Sequence, residues 1–192
     1  MNFSQIVEKL KNKTVGIAGC GGLGSNCAVA LARVGVGKLI IADFDIIEES
    51  NLNRQYYFHK QIGASKTTSL KENIQLINPS VEVKAHNIKL DSQSIIEIYN
   101  NCDVIVEAFD KAEMKQMIIE TVISKLPITP LVVGLGMGGW GNNNSIACRQ
   151  ADNMFICGDE ISEISEELPP LAPRVGIVAN MQANTVLEIL LK

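Results

Sequence analysis

The small and apolar run Thr14-Val15-Gly16-Ile17-Ala18 leads directly into Gly19-Cys20-Gly21-Gly22-Leu23-Gly24. A buried strand that turns on glycines at G-x-G-x-x-G spacing and opens a helix is the signature of a parallel α/β sheet. The glycines let backbone N–H groups approach a phosphate at the helix N-terminus. Alone the pattern is weak, since a tight-packing turn needs no ligand. A second apolar strand, Lys38-Leu39-Ile40-Ile41-Ala42, ends in Asp43. The interval from Gly24 to Asp43 is near the roughly 20 residues expected for an acid that holds a ribose. Otherwise Asp43 is a capping or surface acid.

The rest of the chain repeats this rhythm. Phe3, Ile6, Val7 and Leu10 fall at helical spacing, so residues 1–12 are expected to carry a short amphipathic N-terminal helix. Helices are expected at about 23–34, 65–77, 92–99 and 111–126. Strands are expected at 81–85, at the apolar run from Asp103 to Phe109, and at 128–133. Helix alternating with strand predicts an α/β fold, a doubly wound and mainly parallel sheet with a Rossmann-like nucleotide-binding half. Ligands of such sheets bind outside the strand carboxyl ends, where the glycine turn, Asp43 and Asp110 all fall. Residues 150–173 depart from the rhythm, with six acids, no Lys or Arg and three prolines. They are expected to form a long exposed loop, followed by a C-terminal helix over 176–191. The 192 residues suit one domain.

Bulk properties exclude some classes of function. A net charge of -4 argues against nucleic acid as the main partner. No apolar run approaches a bilayer span and the start, Met1-Asn2-Phe3-Ser4-Gln5, is no signal peptide, so a cytoplasmic location is expected. Five cysteines without CxxC spacing read as reduced thiols, and no zinc site is expected.

Reaction chemistry is carried by the next stretch, Asp43-Phe44-Asp45, then Ser50-Asn51-Leu52-Asn53-Arg54-Gln55, then Gly63-Ala64-Ser65-Lys66. Cleaving a triphosphate between its α and β groups needs cations at both. A guanidinium grips phosphate oxygens as a fork, and an ammonium acts as a point charge, here near a helix N-terminus. Each of Asn51, Arg54 and Lys66 alone fits a solvated surface group; together they point to a polyphosphate. Asp110 suits Mg²⁺, a hard ion that prefers carboxylate and phosphate oxygens, or a helix cap.

With these pieces the chain resembles the ThiF/MoeB/HesA superfamily, prokaryotic relatives of ubiquitin-activating enzymes. The matching segments are Gly19–Ser25, Asp43–Asp45, Ser50–Gln55, Gly63–Lys66, Asp110, Ala172–Gly176 and Gln182-Ala183. The resemblance is strongest to short ThiF-like proteins linked to thiamine biosynthesis. It implies ATP-dependent adenylylation of the C-terminal carboxylate of a small ubiquitin-like sulfur carrier protein ending in Gly-Gly, with release of pyrophosphate. It further implies a nucleotide site at Gly19, Gly21, Gly22, Leu23, Gly24, Asp43, Asp45, Asn51, Arg54, Gln55 and Lys66. Arg54, Lys66 and Asp110 would be catalytic, Asp110 would hold magnesium, Gly134–Gly141 would admit the carrier tail, and the assembly would be a homodimer.

Relatives usually carry an N-terminal arginine that reaches the partner subunit's site, whereas the first arginine here is Arg33. Either Arg54 and Lys66 suffice, or a lysine among Lys9, Lys11 and Lys13 substitutes, or activity is compromised. Cys157 is the one candidate for a sulfur-transfer thiol, with an inert thiol equally open. It is expected to be the most exposed cysteine, its pKa raised by Asp159 and Glu160. Rival readings are activation of another carboxylate or carbonyl (molybdopterin carrier, peptide, modified tRNA), a NAD-dependent oxidoreductase, and a non-catalytic nucleotide-binding module.

Overall fold

Thr14–Ala18 forms a central strand, β1, with every residue after Thr14 buried. A computed structural model describes all residues from Met1 to Lys192. Helix α1 (Phe3–Leu10) precedes β1, and α2 (Gly22–Arg33), β2 (Lys38–Asp43), α3 (Lys66–Ile77) and β3 (Glu82–Asn87) follow. The second half holds α4 (Ser92–Tyr99), β4 (Val104–Glu107), α5 (Ala112–Lys125) and β5 (Leu131–Leu135). It closes with β6 (Ala147–Ala151), β7 (Met154–Gly158) and α6 (Ala172–Leu191). The sheet order is β3-β2-β1-β4-β5-β7-β6. All neighbours are parallel except β6, which runs antiparallel to β7. This is the expected doubly wound α/β sheet.

Alternation along the strands divides the core into two layers. Val15, Ile17, Leu39 and Ile41 pack beneath α2, α3 and α6. Ala18, Ile40, Ala42 and Ile105 pack beneath α4 and α5. Tyr99 of α4 is fully buried, and its hydroxyl donates to the Ile17 carbonyl at 3.0 Å. Capping at α1 is reciprocal: the Gln5 N–H donates to Asn2 Oδ1 and the Asn2 N–H to Gln5 Oε1. Leu10 of α1 is buried in the chain's own core, while Phe3 is 64% exposed. No helix is long and apolar enough to cross a membrane.

The order reverses at β1, with β2 on one side and β4 on the other, so a crevice opens at their carboxyl ends. Two glycines make it possible. Gly19 holds φ at +96°, and a Cβ there would press on the Ala108 carbonyl oxygen of the neighbouring connection. A Cβ at Gly24 would overlap the Gly19 carbonyl oxygen, so α2 seats on the turn only without a side chain.

Three expectations need correction. Residues 150–173 are not one exposed loop, because Met154–Gly158 forms β7 between β5 and β6. The apolar run Met154-Phe155-Ile156-Cys157 lies before most of the acids, and Asp152 turns the hairpin at a positive φ of 52°. Cys157 is therefore buried on a strand rather than exposed in a loop. The last helix starts at Ala172 rather than 176, with Pro173 in its first turn, where a missing N–H costs no hydrogen bond.

Gly24→Ala forces α2 away from the turn and is expected to cost about 1–3 kcal/mol, as overpacking does. Urea unfolding measures it. An unchanged midpoint contradicts the close approach.

Candidate functional site

The glycine turn is fastened from several sides. Asp43 Oδ2 accepts from the Cys20 N–H at 2.6 Å, and Oδ1 accepts from the Asp45 N–H at 2.9 Å. The carboxylate at the end of β2 is thereby fixed beside the turn. Gly21 caps α2, and no side chain satisfies the free N–H groups of the first turn. Tyr57, buried, donates to the Cys20 carbonyl at 2.7 Å and to the Lys66 carbonyl at 3.3 Å. Its phenol joins the turn to the start of α3, and burial pushes its pKa upward.

Hydrogen bonds from α2 hold the Asn51–Tyr57 segment over this turn. Ser25 Oγ accepts from the Tyr56 N–H at 2.9 Å, and Asn26 Nδ2 donates to the Arg54 carbonyl at 2.9 Å. Asn51 is buried, and its Oδ1 accepts from the Glu48 N–H at 3.1 Å. It shapes the turn that presents Arg54 and Gln55, and it does not line the crevice. Gln55 does line it, and its Oε1 is a buried acceptor without a protein partner.

The crevice is a cavity of about 520 Å³, bordered by Gly19, Gly21, Gly22 and Leu23 on one wall. Asp43, Asp45, Arg54, Gln55, Lys66 and Asp110 complete the set brought together from the sequence. Gly24 stays outside as a packing glycine. This volume lies in the range of small-molecule sites, about 300–1,000 Å³. Lys66 opens α3, is almost fully buried, and pairs with Asp45 at 2.8 Å. Arg54 Nη1 donates to the Ser50 carbonyl at 3.0 Å and to Asn53 Oδ1 at 2.7 Å. Burial lowers the Arg54 guanidinium from its ordinary value, and the facing Asp110 carboxylate opposes that shift. Asp110 is exposed, in the connection just before α5.

Two ion pairs near the crevice escaped the sequence reading. Glu107, fully buried at the end of β4, holds Lys115 of α5 at 2.8 Å, and Lys115 also donates to the Gly134 carbonyl at 2.8 Å. Burial pushes the Glu107 carboxyl up, opposed by Lys115 and the Phe109 N–H. Asp159 accepts from Arg174 at 2.5 Å, with both side chains buried, and Arg174 Nη1 donates to the Gly141 carbonyl at 2.6 Å. Burial of Asp159 is outweighed by hydrogen bonds from Ser162 and Ile161 and by Arg174, which hold its carboxyl below the usual range.

The Gly134–Gly141 stretch is thus anchored at both ends, and only Leu135, Gly136 and Met137 of it reach the cavity. The Gly138 and Gly139 N–H groups donate to the Ser162 and Pro169 carbonyls, at 2.9 and 3.0 Å. The three N-terminal lysines have partners within the chain. Lys9 donates to the Leu191 carbonyl, Lys11 pairs with Glu8, and Lys13 pairs with Asp103. Cys157 is shielded from the crevice. Its thiol is pushed up to about 12 mainly by burial rather than by Asp159 or Glu160.

Comparison with known proteins places this geometry in context. The model of the ThiF family matches residues 3–192. The chain is 34% identical over 193 residues to adenylyltransferase and sulfurtransferase MOCS3 of Caenorhabditis briggsae, covering 96% of this chain and 47% of that protein. It is 32% identical over 184 residues to the probable adenylyltransferase/sulfurtransferase MoeZ of Mycobacterium tuberculosis, covering 95% and 45%. The chain therefore spans about half the length of the curated relatives it matches. E. coli tRNA N6-threonylcarbamoyladenosine dehydratase TcdA, solved in complex with ATP, superposes with a TM-score of 0.87 at 17% identity, covering 97% of this chain and 89% of that one. E. coli MccB with ATP gives a TM-score of 0.77 at 22% identity, covering 97% and 58%. These two share the fold.

Asp159→Asn leaves the Arg174 charge buried without a counter-charge and is expected to cost about 3–5 kcal/mol. A carboxyl with a lowered folded pKa stabilises above its unfolded value, about 4, and loses that contribution as pH falls through the folded one. Urea melts across acid pH should therefore decline less steeply for Asp159→Asn than for wild type. Equal slopes contradict the pairing.

Proposed function

Because the chain belongs to the ThiF family, we propose that residues 1–192 work as one adenylation domain, transferring AMP from ATP to a carboxylate. The favoured substrate is the C-terminal glycine carboxylate of a small ubiquitin-like sulfur carrier protein, that of the thiamine pathway. The observation that carries this reading is the meeting of glycine turn, Asp43, Arg54, Lys66 and Asp110 on one cavity. A NAD-dependent oxidoreductase has use for the first two and none for the rest.

In this reading the first-turn N–H groups of α2 receive the phosphates and Asp43 accepts from the ribose hydroxyls. The carboxylate substrate is already ionised and needs no base. It forms a bond to the α-phosphorus as the bond from that phosphorus to the bridging oxygen breaks, and charge collects on the departing pyrophosphate. Arg54 and Lys66 stabilise that charge, and Lys66 exchanges its Asp45 partner for phosphate oxygen. Catalysis is alignment plus electrostatics.

Magnesium fits at Asp110. No group of three or more potential ligands gathers in the chain, so the protein alone builds no cage. One crevice carboxylate joined by phosphate oxygens and water is how Mg²⁺ is commonly held. The ion would neutralise phosphate charge there. Leu135, Gly136 and Met137 border the entry by which a glycine-rich tail would reach the cavity. We also assign the domain to a homodimer in the cytoplasm, with the exposed end of α1 at Phe3 covered by the second copy.

ATP–pyrophosphate exchange should require a carrier with an intact C-terminal carboxylate. Arg54→Ala should lower kcat by a factor on the order of 10²–10³, corresponding to about 3–4 kcal/mol, with a smaller change in the KM for ATP. Wild-type exchange by that variant contradicts the role of Arg54. Light scattering should give twice the monomer mass of 20.9 kDa. A monomer across micromolar concentrations removes the dimer from the account.

A further inference from the structure

Two thiols face each other at the β6 edge of the sheet, on the face that α2 and α6 cover. Cys148 of β6 and Cys157 of β7 are directly opposed in the antiparallel register. Their sulfurs are 3.7 Å apart, and each lies near the Thr185 hydroxyl of α6, at 3.5 and 3.6 Å. Cys148 is exposed and Cys157 is buried. Opposed residues of an antiparallel pair have Cα atoms about 4.5–5.5 Å apart, within the range of about 4.4–6.8 Å that a disulfide spans. Closure to about 2.0 Å between sulfurs needs side-chain rotation rather than a new backbone arrangement.

We propose that Cys148 and Cys157 form a redox-active dithiol that closes to a reversible intrachain disulfide by exchange with a small-molecule disulfide. This site is separate from the crevice and does not depend on the adenylation reading. Cys148 is the entry point because it meets solvent. Its thiolate attacks one sulfur of the oxidant, whose S–S bond breaks and expels one thiolate. Cys157 then attacks the Cys148 sulfur of the mixed disulfide, the second thiolate leaves, and the Cys157 proton passes to it. The two cysteines are oxidised together, and the oxidant is reduced to two thiols. Burial, which pushes the Cys157 thiol up to about 12, makes the second step the slow one.

The bond would staple the exposed edge strand β6 to β7. That strand runs through Gly158 into Asp159, the partner of Arg174 at the glycine loop. Cys27 of α2 shares the core layer with Cys157, whose proximity helps to raise the Cys27 thiol, so it is the competitor for pairing.

The experiment is incubation of the native protein with oxidised glutathione, acid quenching, alkylation and peptide mapping without reduction. Expected is one linked peptide joining Cys148 to Cys157, lighter by two hydrogens and reversed by dithiothreitol. The alkylatable thiols of the denatured chain should fall from five to three. Cys27→Ser should form the same bond and Cys148→Ser none. The proposal is overturned if Cys148 remains a glutathione adduct, if Cys157 links to Cys27, or if linkage appears only in urea.

Discussion

The molecule depends on one backbone-to-backbone approach, α2 seated on the turn that ends β1. Gly19 supplies a left-handed φ of +96°, and Gly24 removes the side chain that would strike the Gly19 carbonyl. With α2 so close, its first-turn N–H groups face the opening between β1 and β4 rather than a side-chain cap. A partial positive field is then fixed at the crevice before any ligand arrives. Asp43 is tied to the same turn through the Cys20 N–H. The carboxylate and the helix end therefore move as one unit.

The cations are arranged around that unit by hydrogen bonds from α2 and from Tyr57. Ser25 and Asn26, one helical turn inside α2, hold the segment carrying Arg54 and Gln55. Tyr57 ties the turn to the residue that opens α3, Lys66. In the free protein Lys66 is paired with Asp45, while the Arg54 guanidinium is held by the Ser50 carbonyl and Asn53 Oδ1 with the Asp110 carboxylate nearby. Phosphate would enter by displacing Asp45 from Lys66, at side chains already positioned on the crevice.

Much of this was readable from the residues because parallel strands buried on both faces appear as unbroken apolar runs. Thr14–Ala18, Lys38–Ala42 and Val104–Val106 are such runs, and the glycine turn after the first and the acids Asp43 and Glu107 after the others mark the carboxyl ends. The edge hairpin was hidden for the opposite reason. Ala147–Ala151 is exposed along most of its length and has no alternating pattern, and the acids after Gly158 masked the short apolar run of β7. Glu107 sat inside an apolar strand with no visible partner, because Lys115 lies eight residues on, in the first turn of the following helix. Ser25, Asn26 and Tyr57 act on residues about 30 positions distant, contacts that no local pattern encodes. Asn51 belongs to the segment that brings Arg54 and Gln55 to the cavity, yet its own side chain shapes the turn instead of lining the cavity as expected of a phosphate ligand.

The central claim is that the crevice at the carboxyl ends of β1 and β2 is an ATP site held by the glycine turn and Asp43. Calorimetric titration of wild type and Asp43→Ala with ATP and with NADH tests it most directly. The account predicts saturable ATP binding, markedly weakened by Asp43→Ala, and no comparable binding of NADH. Tight NADH binding without ATP binding, or ATP binding indifferent to Asp43, contradicts it.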